Sequence, residues 1–138
     1  MTEAPRLFPT FRYRDAAAMI DWLQKAFGFA VRAKFMDGDA VGHAEMSLGS
    51  AMILLGSARD DAFGDMVGAP GKNGGKAVYI SVDDADAACE RARAAGAKIL
   101  EEPTDRDYDS RDFICADPEG NVWCFGTYWP KADTKAPS

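Results

Sequence analysis

One supersecondary unit occurs twice in this chain, and the repeat narrows the folds that the chain can adopt. A predicted helix follows Asp15 and ends at Gly28, and a second one follows Asp83 or Asp84 and ends at Gly96, with the same spacing. Aspartate is a favoured N-cap, and glycine ends helices because it accepts the left-handed conformation. Strands are predicted before and after each helix, so the order βαβββ occurs in both halves. Neither sheet buries its apolar face alone, which predicts two packed βαβββ modules in one α+β domain.

The predicted elements assign all 138 residues to a single domain. Its parts are module one (6–57), a connector (56–76), module two (77–130) and a solvated C-terminal tail (131–138). The connector is rich in glycine and aspartate and is long for a loop inside a compact domain, which is typical of a mobile linker or a lid over a pocket. The predicted strands are 7–13, 30–36, 41–48, 51–55, 77–82, 99–100, 112–116 and 122–125.

Composition and charge exclude several classes of function. The net charge is −6, so the basic surface that nucleic-acid phosphates require is absent, and the hydrophobic fraction of 47% indicates a globular chain. The N-terminus lacks a signal-peptide pattern, and no apolar run approaches the roughly 18 residues of a membrane span. We therefore expect a cytoplasmic protein with no nucleic-acid or membrane partner. The cysteines, Cys89, Cys115 and Cys124, lack metal-site spacing and are interpreted as buried thiols.

A tight turn near the end of the chain, Asp117-Pro118-Glu119-Gly120-Asn121, connects two apolar strands. Asp-Pro begins turns, and Gly120 and Asn121 tolerate the positive φ that closes them, so a β-hairpin is predicted. Together with the paired modules, this hairpin resembles the closing hairpin of the vicinal-oxygen-chelate superfamily, which includes glyoxalase I, bleomycin-resistance proteins and extradiol dioxygenases. The resemblance implies curled mixed sheets, each with a helix on its outer face, that enclose a cavity often completed across a homodimer.

The resemblance also implies where a metal would bind. Metal-dependent members of the superfamily carry one ligand on the first and last strand of each module, and these positions correspond here to Phe8, Leu54, Ala77 and Cys124. Divalent ions such as Mg²⁺, Mn²⁺, Ni²⁺ or Fe²⁺ need several converging oxygen or nitrogen donors, which one thiol among three apolar side chains does not supply. We therefore expect no metal at this site and no cofactor.

If the ligand-equivalent positions face the cavity, strand alternation predicts which other side chains line it. The cavity is then mostly apolar with a few polar groups, as is usual for a small-molecule site. The predicted ligand-binding residues are Phe8, Thr10, Arg12, His43, Glu45, Leu54, Tyr79, Arg111, Phe113 and Cys124, with Ser47, Met52, Ala77, Ser81, Cys115 and Val122 as further lining residues.

Two pairs of polar residues in this set suggest chemistry. His43 and Glu45 alternate on one strand and point the same way, so they are candidate catalytic residues that act as base and orienter or hold a displaced metal. The alternative is a solvated strand face. Arg12 and Arg111 offer guanidinium forks to an anionic ligand, or they pair with Glu45 and the acidic residues of 105–112.

Three functions remain open from the sequence. The favoured one is a protein that binds a small organic molecule in the paired-module cavity without the superfamily's metal. The alternative is a glyoxalase-like lyase, isomerase or dioxygenase that uses His43 and Glu45 with a displaced metal or none. The third is a structural or regulatory partner domain, which would lack a ligand-sized pocket. Fold-level analogy alone does not decide between them.

Overall fold

The computed structural model describes residues 5–71 and 74–130, and the predicted C-terminal tail lies outside them. Within these ranges the order is βαβββ, a short helix, and βαβββ again. The elements are β1 (Thr10–Tyr13), α1 (Ala16–Phe27), β2 (Ala30–Asp37), β3 (Ala40–Leu48), β4 (Ala51–Ser57), α2 (Ala62–Val67), β5 (Val78–Ser81), α3 (Ala85–Ala94), β6 (Lys98–Asp105), β7 (Arg111–Ala116) and β8 (Val122–Gly126).

The strands form two separate four-stranded sheets with equivalent topologies, ordered β1-β4-β3-β2 and β5-β8-β7-β6. In each sheet the first and last strands of the module pair in parallel, and the other neighbours are antiparallel. Helix α1 packs on the first sheet and α3 on the second, which leaves each sheet with one open face, opposite its helix. Neither of the described sheets closes into a barrel. The predicted α+β fold of two βαβββ modules is confirmed.

Both long helices begin and end as the sequence predicts. The Asp15 side chain accepts a hydrogen bond from the first turn of α1 at 3.1 Å, and Gly28 ends that helix with φ 85°. Asp84, the second of the two candidate caps, does the same for α3 at 3.0 Å, and Gly96 follows with φ 96°. None of the helices in the described part of the chain has the length and apolar character of a membrane span.

Two elements differ from the prediction. Strand β6 covers eight residues, although only 99–100 were predicted, because five of its eight side chains are charged or polar and its pairing with β7 is irregular. The connector contains α2, a six-residue helix capped by Asp61 that was not predicted. No side chain of α2 is buried, so the apolar periodicity that reveals a packed helix is missing from its sequence.

A single buried cluster joins the two modules. Trp22 of α1 donates its indole N–H to the Ala95 carbonyl at the end of α3, at 2.7 Å. The Phe27 ring lies 5.0 Å from the Trp123 ring and 4.8 Å from the Phe125 ring, both on β8. Aromatic pairs of this kind contribute about 0.5–1.5 kcal/mol each beyond the area that they bury. The modules therefore share one core, with their helices packed together.

Asp117, the first residue of the predicted hairpin turn, is 4% exposed and connects the modules through hydrogen bonds. Its carboxylate accepts the Tyr13 hydroxyl of β1 at 2.9 Å and the Trp123 indole N–H at 3.1 Å. It also accepts the backbone N–H groups of Glu119 at 2.9 Å and Asn121 at 3.0 Å, which close the turn. A buried carboxylate is stable only when donors surround it in this way.

The same turn holds the start of α1 and the end of the described connector. The Glu119 carboxylate accepts the backbone N–H groups of Arg14 at 2.6 Å and Asp15 at 2.8 Å. Arg14 donates to the Pro70 carbonyl at 2.7 Å. At Gly71, φ is 91° and a Cβ atom would lie 2.8 Å from the Glu119 carbonyl oxygen, so only glycine fits. The turn therefore fixes β1, α1 and the connector relative to module two.

Replacing Asp117 by Asn tests this connection. The amide would turn an N–H group toward one of the buried donors, so we expect the free energy of unfolding to fall by at least about 2 kcal/mol. Urea denaturation measures the change, with Asp21→Asn on the exposed face of α1 as the matched control. A loss equal to that of the control would contradict the role of Asp117.

Candidate functional site

The open face of the first sheet carries Thr10, Arg12, His43, Glu45 and Leu54. Thr10 and Glu45 are both register partners of Leu54, so these three side chains form one row across β1, β4 and β3. The intervening residues of β3 are buried against α1, whereas the side chains of His43 and Glu45 are 44% and 38% exposed. The alternation of β3 therefore presents a polar pair to a ligand on this face.

His43 and Glu45 form a close pair. Nε2 of the imidazole lies 3.0 Å from Oε2 of the carboxylate. The Phe35 ring on β2 stacks on the imidazole with the centroids 6.2 Å apart. Because both side chains are exposed, this contact contributes at most about 1 kcal/mol to stability. With Nε2–H donating to the carboxylate, the other imidazole nitrogen, Nδ1, can accept a proton next to an aromatic surface.

Arg12 contacts two residues of the connector, Asp61 and Phe63. Its two terminal nitrogens each lie 3.3 Å from one carboxylate oxygen of Asp61, in the fork geometry that guanidinium favours. The guanidinium carbon is 4.9 Å from the centre of the Phe63 ring on α2. Hydrogen bonding from the Gly64 N–H, and then from Arg12, lowers the pKa of Asp61 below its usual range. The connector therefore supplies an ionised carboxylate to an arginine of the first open face.

On the second sheet, one row across the open face contains Tyr79 of β5, Cys124 of β8, Ile114 of β7 and Glu101 of β6. Tyr79 is 38% exposed, and Cys124 is half-buried. Burial raises the pKa of the Cys124 thiol, so the neutral thiol and not the nucleophilic thiolate is present at neutral pH. This row offers a phenol, a thiol and a carboxylate around an apolar side chain.

Arg111 and Phe113 lie on the helix side of β7, so the prediction that they face the cavity was wrong. Arg111 pairs with Asp86 of α3 at 3.0 Å. Phe113 is fully buried and stacks on Phe125 with the ring centroids 4.9 Å apart. Cys115 is also fully buried, which raises the pKa of its thiol to about 12. The cause is an error of one residue in matching β7 to β3, which moves every side chain to the opposite face.

A polar cluster around Asp112 occupies the open face in their place. Tyr108 and Ser110 were predicted at the rim of the pocket, whereas Asp112 and Arg106 were not predicted on this face. Asp112 is 6% exposed and accepts hydrogen bonds from the Ser110 hydroxyl, the Tyr108 hydroxyl at 2.7 Å and Arg106 Nε at 3.5 Å. Arg106 also pairs with Glu101. Burial disfavours the ionised carboxylate, but the hydrogen bonds from Ser110, Tyr108 and Arg106 outweigh it and lower the pKa of Asp112. Asp112 is therefore a charged, well-anchored group on the open face.

Two features of the backbone make room for this cluster. Gly126 is required because a Cβ atom there would collide with the Asp112 carboxylate and the Tyr79 hydroxyl. The Tyr128 carbonyl accepts the hydroxyls of Tyr79 at 2.8 Å and Ser81 at 2.9 Å. Burial raises the pKa of Tyr79, so its hydroxyl stays protonated and acts as a donor at neutral pH.

A cavity of about 500 Å³ lies where the two modules meet. Module one supplies the residues just before and within β1, module two supplies β5 and the start of β8, and α2 supplies two apolar side chains. The lining residues are Pro9, Thr10, Phe11, Met66, Val67, Lys76, Ala77, Val78, Asn121 and Val122. The predicted site residues Thr10, Ala77 and Val122 thus share one cavity, and seven of its ten lining residues are apolar.

The family model of the Glyoxalase/Bleomycin resistance protein/Dioxygenase superfamily matches residues 8–125. The chain belongs to this superfamily. The match spans both modules and the connector, so the paired sheets, the closing hairpin and the cavity between the modules are all within the matched region.

Three similar proteins share limited sequence with the chain. An uncharacterized protein of Mycobacterium bovis is 31% identical over 126 residues, which are 88% of this chain and 82% of the relative. The structure of TioX from Micromonospora sp. ML1 has a TM-score of 0.73 and 25% identity, covering 89% of this chain and 98% of TioX. TnmS3, an antibiotic binding protein from Streptomyces sp. CB03234, has a TM-score of 0.69 and 20% identity, covering 91% and 96%.

The residues at the superfamily's metal positions do not fit a divalent metal. Leu54 and Cys124 occupy the equivalent rows of the two open faces, Ala77 lines the cavity, and Phe8 lies two residues before β1 with 38% of its surface exposed. Three of these side chains have no donor atom, and the fourth is a protonated thiol. Within residues 5–71 and 74–130, no three His, Cys, Asp or Glu side chains converge on one point. We derive no chemical step through a metal at these positions.

The Asp112 cluster predicts a dependence of stability on pH. The pKa of Asp112 in the folded protein is below the unfolded value of about 3.9, so its contribution is complete above that pH and is lost as the pH falls through the folded pKa. We expect Asp112→Asn to lower the free energy of unfolding by about 1–3 kcal/mol at pH 7, and this deficit to shrink toward pH 3. Urea unfolding at each pH measures it, and the exposed Asp107→Asn is the control. A deficit that is constant down to pH 3 would rule out this role.

Proposed function

We propose that this chain binds a small organic molecule between its modules and on the adjoining open faces, without the superfamily's metal. The proposal depends chiefly on one observation, a cavity of about 500 Å³ beside metal positions of which three are apolar. This volume is in the usual range for small-molecule sites. Apolar walls retain an organic molecule through the hydrophobic effect, at about 25 cal/mol per Å² of apolar surface buried.

Polar groups on the adjoining open faces would orient the molecule. The first open face supplies Arg12, His43 and Glu45, and the second supplies the Tyr79 hydroxyl and the Asp112 carboxylate. A small number of polar groups placed among apolar side chains gives a binding site its specificity. TnmS3, an antibiotic binding protein, has the same fold, which supports the choice of a small organic molecule as the ligand.

We further propose that the active form is a cytoplasmic homodimer. Large apolar side chains of the sheets are uncovered: Phe35 on the first open face is 62% exposed, and Met36 of β2 and Leu100 of β6 are 49% and 48% exposed. Exposed apolar groups on unpartnered sheets favour association, and a second copy would cover them while enclosing the ligand. The three cysteines are free thiols, two of them buried, which agrees with a reducing compartment.

The second candidate function is a glyoxalase-like lyase, isomerase or dioxygenase. The 3.0 Å contact between His43 and Glu45 supports it, because an imidazole oriented by a carboxylate is a competent general base. In this case Glu45 would accept the N–H of His43 Nε2, and the other imidazole nitrogen, Nδ1, would accept a proton from the bound substrate, or the pair would hold a displaced metal. The two functions differ in whether His43 is needed for binding or for turnover.

Thermal unfolding with added ligands tests the first function against the second. We expect no shift with Mg²⁺, Mn²⁺, Ni²⁺, Zn²⁺ or Fe²⁺, and a rise in Tm with members of a panel of aromatic compounds, since a ligand at 100 times its Kd stabilises by about 2.7 kcal/mol. Ala77→Trp should fill the cavity and abolish the rise, whereas Ala94→Trp on the exposed side of α3 should not. Stoichiometric metal that is lost in His43→Ala would favour the enzyme instead.

Sedimentation equilibrium tests the dimer. We expect the wild type to have twice the mass of one chain, and Phe35→Glu to shift it toward the monomer because a buried charge opposes association. Lys34→Glu places the same side chain on the other face of β2 and should leave the dimer intact. A monomeric wild type at micromolar concentration would refute the proposed assembly.

A further inference from the structure

A second cavity, of about 550 Å³, lies between the connector and the ends of β1 and β4. Its walls are Arg12, Ala58, Arg59, Asp60, Gly64, Asp65, Gly68, Ala69 and Pro70. Arg12 belongs both to this cavity and to the first open face. Alternate residues of a strand point to the same side, so on β1 the side chain of Arg12 shares the open face with Thr10. The group that Arg12 binds therefore indicates which chemical group a ligand on this face can offer to it.

Arg12 is the fixed partner of its ion pair. It is on a strand that is hydrogen-bonded to β4, and its side chain is only 19% exposed. Asp61 is 39% exposed and precedes α2, which buries no side chain. A guanidinium that has lost most of its water requires a counterion, and here the protein supplies one from a segment with little packing of its own. Another carboxylate could therefore take the place of Asp61, whereas Arg12 stays fixed on its strand.

Among the charged residues around the cavity, Arg12 is the one best placed to bind an anion. Arg59 is paired with Asp37 at 3.3 Å. Asp60 and Asp65 are exposed carboxylates in the cavity wall, so an anion gains nothing from the general field there. It gains only by direct contact with a guanidinium fork, and the fork of Arg12 already donates to both oxygens of a carboxylate, at 3.3 Å each.

We propose that Arg12 recognises a carboxylate group of the ligand, and that Asp61 is an internal substitute which this carboxylate displaces. The ligand is then an organic anion. Its apolar part contacts the first open face, and its carboxylate binds Arg12 in place of Asp61, next to α2. Displacement frees α2 from its attachment to β1, so binding and movement of the connector are coupled. This inference rests on the binding function proposed above and specifies the chemical class of the ligand.

Benzoate and benzamide, which differ in charge but hardly in shape, are suitable probes, followed by ¹H–¹⁵N chemical-shift titration of the full chain. We expect benzoate to shift the amides of Arg12 and Gly64. Asp61→Asn removes the competing charge yet keeps an oxygen for the Gly64 N–H, so benzoate should bind about two- to fivefold tighter. Arg12→Gln should weaken benzoate at least about tenfold, because a charge-assisted hydrogen bond is lost. Asp65→Asn removes a charge from the same cavity without touching Arg12, and should change the affinity less than about twofold.

Three results would overturn the inference: no benzoate binding to the Asp61→Asn variant, benzoate binding that Arg12→Gln leaves unchanged, or equal gains from Asp61→Asn and Asp65→Asn. Thermal unfolding of each variant shows whether it is folded. Benzamide separates this inference from the general function. If benzamide binds and Ala77→Trp abolishes its binding, while benzoate shows no dependence on Arg12, the binding function stands and the carboxylate recognition fails. If neither probe nor any aromatic compound binds, the binding function itself fails.

Discussion

The buried carboxylate of Asp117 is the interaction on which the geometry of this molecule depends. It belongs to the turn of module two, yet one of its donors is Tyr13 on the first strand of module one. Another donor is the backbone N–H of Asn121, a residue that lines the cavity between the modules. Because one rigid group contacts both walls, hydrogen bonds with strict distance requirements hold that cavity's width together with the shared aromatic core. A ligand site between two modules needs such a connection to be pre-organised.

The two modules repeat the backbone but not the chemistry of their open faces. Register places Leu54 and Cys124 in equivalent positions, and by the same count His43 corresponds to Asp112. One face thus presents an exposed imidazole paired with a carboxylate, and the other a nearly buried carboxylate held by three donors. A molecule that touches both faces meets a proton acceptor on one side and a fixed negative charge on the other. The repeated fold therefore creates an asymmetric site.

How much of this could be read from the sequence depended on whether a signal was local. The caps at Asp15 and Gly28 and the alternation of β3 are properties of neighbouring residues, and they predicted the elements correctly. The face of β7 depends on pairing across the hairpin, where Ala116 is opposite Val122 and Ile114 opposite Cys124. Counting outward from the turn would have placed Asp112 on the open face.

The polar cluster and α2 had no comparable local signal. Asp112 becomes a nearly buried, ionised group only because Arg106 and Tyr108 fold back over it from the preceding loop, an arrangement that side-chain spacing does not encode. Helix α2 is short and packs no side chain into the core. Its main attachment to the sheet is the contact of Arg12 with Asp61 and Phe63, which joins residues far apart in the chain.

The connector explains how a marginal helix can matter to binding. Met66 and Val67 of α2 are 79% and 50% exposed, although they face the cavity between the modules. An apolar ligand that covers about 100 Å² of them gains about 2.5 kcal/mol. Ordering a free six-residue segment costs more than that, at about 1–2 kcal/mol per residue. The gain is useful only if α2 is already in place, and the ion pair of Arg12 with Asp61 places it there before the ligand arrives. In the proposed exchange, a ligand carboxylate that binds Arg12 would release this attachment while the ligand's apolar contacts with Met66 and Val67 replace it.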